Sequence, residues 1–254
     1  MFDVIRIPAF KDNYIWLLRK GTSVVVIDPG DADPVLEVLE RDELDLSSIL
    51  VTHHHKDHQG GVAKLVERFP SAEVFGPAQE SITGINHALL GGERVFLQAL
   101  QIDMQVIAVP GHTLGHLAYY GAGCLFCGDT LFTGGCGRVF EGTPAQMYDS
   151  LMRLASLPGD TQVYCAHEYT EANLRFALSV ESENRCLRIR FDEVRELRFS
   201  GLATVPSSLA LEMETNPFLR CDKAGVKRFA SVGGLSESTP LAVFTEIRKK
   251  KDSF

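Results

Sequence analysis

Apolar positions in the first half of the chain come in short blocks separated by turn residues. Ser23–Ile27 (SVVVI) is β-branched and apolar and runs into Asp28-Pro29-Gly30, which predicts a buried strand closed by a turn. Residues 32–40 carry Val35, Leu36, Val38 and Leu39 and predict a helix, and 48–52 (SILVT) predicts a second buried strand. From His58 to Phe69 the apolar residues Val62, Leu65, Val66 and Phe69 fall at helical spacing. Further strands are predicted at 73–75, 94–96 and 105–109, with a hairpin of 118–120 and 124–127 turning across Gly121 and Gly123.

From Gly142 onward the spacing becomes helical. Thr143 can cap a helix with Pro144 in its first position, followed by Met147, Leu151 and Leu154. Residues 163–166 make one short strand; beyond it 170–182, 184–199 and 239–251 read as helices, with no strand expected among them. The expected organisation is therefore an α+β domain over 1–165 followed by a helical domain over 166–254, without internal repeats.

Composition adds limits to this picture. The 254 residues include 25 basic and 33 acidic side chains, a net charge of −8, which argues against a surface built for nucleic acid or an anionic membrane. Six cysteines are too few for a disulfide scaffold and favour a reducing compartment. The opening residues, 1–8, enter a strand directly with no basic-then-apolar leader, and the longest uncharged stretch, 104–128, is broken by Pro110, His112, His116 and glycines. A cytoplasmic, membrane-free protein is expected.

The densest chemistry is Thr52-His53-His54-His55-Lys56-Asp57-His58, just past a predicted strand. In extended chain His53, His55 and Asp57 share one face, ~6.6 Å apart per step, and a helix starting at His58 would swing that imidazole back toward them. A tetrahedral catalytic zinc takes about three protein ligands, so four donors here point to two ions. Three more donors follow apolar runs: His112, Asp129 and His167. A carboxylate can bridge two cations, and Asp129 is the expected bridge; cations about 3.5–4 Å apart would lower the pKa of a shared water toward ~7. Imidazole and carboxylate suit zinc, iron or manganese.

Other candidates read as structural. His54 lies between two ligands and should face away, and His87 falls in a polar turn region. His116 is either an orienting partner of a ligand or a core residue. Cys124 and Cys127 are three apart on a predicted strand and point to opposite faces, and no G-x-S-x-G elbow supports a serine nucleophile.

The set His53-x-His55-x-Asp57-His58, His112, Asp129 and His167, with Asp28-Pro29-Gly30, resembles the metallo-β-lactamase superfamily. Five stretches bring the resemblance to the glyoxalase II (hydroxyacylglutathione hydrolase) family across nearly the whole chain: IPAFKDNYIWLL, GDTLFTGGCGRVFEG, HEYTEAN, VPSSLALEMETNPFLR and RKKKD. The resemblance implies a four-layer αβ/βα sandwich with a C-terminal helical domain. It implies one metal on His53, His55 and His112, a second on Asp57, His58 and His167, and Asp129 between them, with zinc first and iron or manganese as alternatives. Asp57 and Asp129 would serve catalysis beside a metal-bound hydroxide.

The implied reaction is hydrolysis of the thioester S-D-lactoylglutathione to D-lactate and glutathione, the second step of methylglyoxal detoxification, by a monomer. A thiolate leaving group of pKa ~8.5 needs no separate protein acid. Arg248 and Lys251, three apart on the last predicted helix, would hold glutathione carboxylates, although cations also suit a helix C-terminus. Arg138, Phe140, Tyr169 and Asn173 occupy the remaining substrate-contact positions. Arg138 stands where Lys is frequent and Phe140 where Tyr is frequent, so a charge is kept and a hydroxyl lost. The rival readings are a one-iron persulfide dioxygenase, a metal-dependent nuclease using Lys249-Lys250-Lys251, and a non-catalytic metal binder.

Overall fold

The computed structural model describes residues 2–231 and 239–254. By contacts the chain divides into two compact units, Met1–Ala108 with Thr113–Gly128, and Val109–His112 with Asp129–Phe254.

The first unit begins with a hairpin, β1 (Asp3–Ala9) and β2 (Asn13–Lys20), followed by β3 (Ser23–Ile27), β4 (Asp45–Leu50), β5 (Glu73–Pro77) and β6 (His87–Leu89). These form one sheet in chain order, antiparallel through β3 and parallel from β3 to β6. Parallel neighbours require crossovers. These are supplied by α1 (Asp33–Arg41) between β3 and β4, and by α2 (Lys56–Gln59) and α3 (Val62–Arg68) between β4 and β5. Val24, Val26 and Ile49 from the strands, with Val51 just past β4, meet Val35, Leu39, Val62 and Leu65 from the helices in a buried core. A second, antiparallel run of β7 (Arg94–Leu97), β8 (Ile102–Ala108), β9 (Leu117–Gly121) and β10 (Cys124–Gly128) completes the unit. It is tied to the first sheet where Tyr119 Oη donates to Val51 O at 2.8 Å and Leu117 N to Thr52 O at 2.9 Å.

The second unit contains the short pairs β11 (Leu131–Phe132) with β12 (Gly135–Cys136) and β13 (Gln162–Cys165) with β14 (Ser207–Ser208). Its helices are α4 (Pro144–Ala155), α5 (Thr170–Val180), α6 (Arg185–Phe199), α7 (Leu209–Thr215), α8 (Ala224–Ser231) and α9 (Pro240–Asp252). Thr143 caps α4 in a reciprocal bond pair with Gln146, with Pro144 opening the helix as its sequence predicts. Leu174, Ala177, Leu187 and Val194 join α5 to α6. Below them Arg190 (4% exposed) and Glu212 (0%) form a buried ion pair completed by Ser207 and Thr215.

The 109–112 segment is bonded into the second unit. Ser150 Oγ donates to Pro110 O, Gly142 N to Gly111 O, and Phe140 N and Glu141 N to His112 O. A strand, β14, does occur beyond residue 166; two residues carry no period to betray it. His87 opens β6 rather than lying in a turn, with its ring stacked on Phe75 at 4.5 Å and Nε2 3.2 Å from Glu73. The expected helix from His58 starts two residues earlier, at Lys56, and breaks at Gly60-Gly61 before α3.

Candidate active site

In the first unit the donors ride on the connection from β4 to α2. The chain stays extended only to His55, which is the residue before the helix (φ −59°, ψ 141°). Asp57 therefore projects from the first helical turn and does not share an extended face with His53 and His55. Gly30 permits this close turn, since a Cβ there would lie 1.9 Å from the Asp57 carbonyl oxygen.

A buried carboxylate organises the imidazoles. Asp28 Oδ1 accepts from Thr52 N at 2.8 Å, and Oδ2 accepts from Thr52 Oγ1 at 2.7 Å and faces His58 Nδ1 at 3.0 Å. Thr52 Oγ1 in turn meets His53 Nδ1 at 3.0 Å. With both Nδ1 atoms engaged, His53 and His58 have their Nε2 atoms for a metal, the arrangement in which an outer partner fixes ring orientation and tautomer. His53 Nε2 lies 3.0 Å from His55 Nδ1, and His58 Nε2 3.5 Å from Asp57 Oδ2. Two nitrogens that close suit one small divalent cation. Asn13 Nδ2 donates to Asp57 Oδ2 at 2.9 Å, and His116 stacks on His53 with centroids 4.5 Å apart. His54 is held by Glu80: its backbone N–H and Nδ1 lie 2.6 and 3.1 Å from Glu80 Oε2, and its ring centroid is 4.9 Å from that of His55.

In the second unit Asp129 presents its two oxygens to different histidines. Oδ2 lies 3.4 Å from His112 Nε2, and Oδ1 3.4 Å from His167 Nε2. His112 Nδ1 is held by the Arg138 carbonyl at 2.8 Å, which again directs Nε2 to a metal. Gly137 is required here, because a Cβ would meet the Asp129 carbonyl oxygen at 1.8 Å.

Beside these three donors is a cavity of about 530 Å³, lined in part by His112, Asp129, Arg138, Phe140, Tyr169, Asn173, Arg248 and Lys251. All six residues expected to touch substrate thus line one cavity, though not all in the same manner. Phe140 is 60% exposed, its ring 5.1 Å from His112. Tyr169 stacks flat on His167 at 4.7 Å and also faces the cavity. Asn173 is buried, and its amide donates to Thr133 O. Arg248 is 6% exposed and spends Nη1 on Cys136 O at 2.9 Å.

Burial, and then the Arg248 charge, push the Lys251 ammonium down to about 8. Its Nζ lies 5.3 and 5.4 Å from the Phe176 and Phe254 ring centroids. A separate depression of about 560 Å³ around Glu181, Arg220 and Arg228 holds a closed Arg220–Glu181 pair and none of the predicted metal ligands.

Sequence reading misses Asn13, Thr52 and Glu80 as partners of the ligand loop and treats Asp28 only as part of a turn motif. No spacing rule marks them; the proximity of Asp28-Pro29-Gly30 to a predicted strand end is the one available hint.

Residues 10–167 match the metallo-β-lactamase superfamily model, and 168–254 match the model for the hydroxyacylglutathione hydrolase C-terminus. Among solved structures, ETHE1 from Myxococcus xanthus is similar with a TM-score of 0.66 and 25% identity, covering 100% of this chain and 99% of that one. TTHA1623, solved in a di-iron-bound form, has a TM-score of 0.60 and 27% identity over 85% of this chain and 100% of its own. The fold and the His/Asp clusters define a metal-binding α+β protein of the metallo-β-lactamase fold with a helical C-terminal region.

Two curated relatives sharpen the assignment. The hydroxyacylglutathione hydrolases of Methylobacillus flagellatus and Dechloromonas aromatica are 51% and 53% identical, each match covering 100% of both chains. The chain belongs to the hydroxyacylglutathione hydrolase family.

Proposed function

We propose that the chain hydrolyses S-D-lactoylglutathione, and related 2-hydroxyacylglutathione thioesters, to the 2-hydroxy acid and glutathione. The proposal assigns one divalent ion to His53, His55 and His112, a second to Asp57, His58 and His167, and the bridging position to Asp129. The observation that carries it is Asp129, whose two carboxylate oxygens face different imidazoles at 3.4 Å on the wall of a cationic cavity. Whole-length identity to hydroxyacylglutathione hydrolases supplies the substrate class. Zinc is the first choice of metal; the di-iron form of TTHA1623 supports iron as the alternative.

When bound, such ions supply a water of lowered pKa and a Lewis acid for the thioester carbonyl. The chain's own residues do the rest. Asp28, Thr52 and the Arg138 carbonyl fix imidazole orientation before substrate arrives, so no reorganisation is needed at the moment of reaction. Arg138, Arg248 and Lys251 provide the positive wall that suits glutathione carboxylates. Phe140 and Tyr169 offer apolar faces beside His112 and His167. The reading keeps 1–165 as a metallo-β-lactamase-like sandwich domain and 166–254 as a helical substrate-binding domain, in a cytoplasmic monomer. Among the described residues no helix is long and apolar enough to cross a membrane.

The test pairs metal analysis of purified protein with release of free thiol from S-D-lactoylglutathione. Two equivalents of metal and hydrolysis that a chelator abolishes are expected. Fully loaded protein that leaves the thioester intact, or consumes oxygen with glutathione persulfide instead, would overturn the reading.

A further inference from the structure

Besides Asp129, which is assigned to the metals, a second acidic side chain, Asp252, lines the cavity among its cations. Asp252 Oδ1 accepts a hydrogen bond from Arg248 Nη2 at 3.0 Å and lies 3.9 Å from Arg138 Nε. The Asp252 side chain is 47% exposed, so it stands at the solvent side of this pair. It closes α9, where the negative end of the helix dipole disfavours a carboxylate, so helix formation does not account for it. Nor does Arg248 depend on it for orientation. That guanidinium is also anchored by Cys136 O and lies 5.1 Å over the Phe218 ring. What Asp252 does do is place a carboxylate where two arginines converge on the cavity.

Resting on the glutathione-thioester reading above, we propose that Asp252 is an internal competitor for the substrate's carboxylate and lowers the affinity of the cavity for glutathione conjugates. An arriving carboxylate takes the arginine donors, and the half-exposed Asp252 side chain turns to water. Because the contact is remote from the reacting thioester, it acts on ground state and transition state alike and moves KM rather than kcat. Asp252→Asn keeps the shape and an acceptor for Arg248 but removes the charge. It should lower KM for S-D-lactoylglutathione, and the dissociation constant of glutathione itself, by about two- to five-fold, the scale of one half-exposed ion pair. Asp252→Ala should do the same, and the melting temperature should not fall in either variant. Asp149→Asn, an exposed residue outside the cavity lining, controls for the change in net charge and should leave KM unchanged.

Kinetics and calorimetric titration of the metal-loaded protein with glutathione separate the outcomes. Hydrolysis intact, with glutathione bound equally or more weakly by both variants, overturns the competitor role alone and makes Asp252 an anchor. Tighter glutathione binding by the variants of a protein that does not hydrolyse the thioester supports the role of Asp252 and overturns the reaction. Absence of glutathione binding in every form overturns both.

Discussion

Glu80 gives the sharpest test of how the ligand loop is held. Its side chain is only 3% exposed, yet it carries no metal-ligand role in the proposed site. Oε2 accepts from His54 N at 2.6 Å, and Oε1 from Thr113 Oγ1 at 2.5 Å and Gly115 N at 3.0 Å. One carboxylate therefore pins the backbone between His53 and His55 to the segment that begins at Thr113. In Glu80→Ala two backbone donors lose their acceptor in a largely water-excluded place. At about 1–3 kcal/mol for each orphaned group, partly offset by water entry, the loss should be about 2–4 kcal/mol. Glu80→Gln keeps the volume but turns an NH2 toward one set of donors and should cost about 1–3 kcal/mol.

The same change should loosen His53 and His55, and removal of an outer partner typically weakens metal binding about 10–100-fold. Urea unfolding of the metal-free protein measures the first effect, and competition with a chromophoric chelator the second. Glu73→Gln, which removes only an exposed contact to His87, is the control and should stay within about 0.5 kcal/mol. If Glu80→Gln matches that control in both assays, the carboxylate is incidental and the argument from its donors is wrong.

Three further outcomes follow from named contacts. Burial and the neighbouring Arg248 charge lower the Lys251 pKa to about 8, so its positive form is lost as pH rises through that value. KM for the thioester should climb there, and Lys251→Met should start high and remove that step in a pH profile. Gly137→Ala drives a Cβ to 1.8 Å from the Asp129 carbonyl and should abolish metal retention by elemental analysis, whereas Gly159→Ala, with no atom nearer than 3.5 Å, should not. Glu212→Gln leaves the Arg190 guanidinium buried without its counter-charge and should cost about 3–5 kcal/mol in denaturant unfolding.

The parts of this molecule that can be read from its sequence are those governed by local rules. The apolar SVVVI run becomes β3, the Thr143-Pro144 pair opens α4, and the turn through Ala122 (φ 48°) and Gly123 (φ 77°) joins β9 to β10. The donors stand out for the same reason, because strand ends and short spacings are local features. What escapes is whatever depends on partners distant in the chain. Thr52 finds Asp28 across 24 residues, His54 finds Glu80 across 26, Asn13 finds Asp57 across 44, and Gly134 finds Glu212 across 78.

Apart from Gly134 and the mid-helix Glu212, each of those is a single polar residue in a loop or near an element's end, with no period to mark it. Even the placement of Asp57 changes once the chain turns at His55, since an alternation rule holds only while the backbone stays extended. A sequence can therefore disclose which atoms are able to bind a cation while leaving hidden the carboxylates and amides that aim them. Those hidden groups set ring orientation and loop position, and substitutions at them separate a preorganised centre from a collection of suitable ligands.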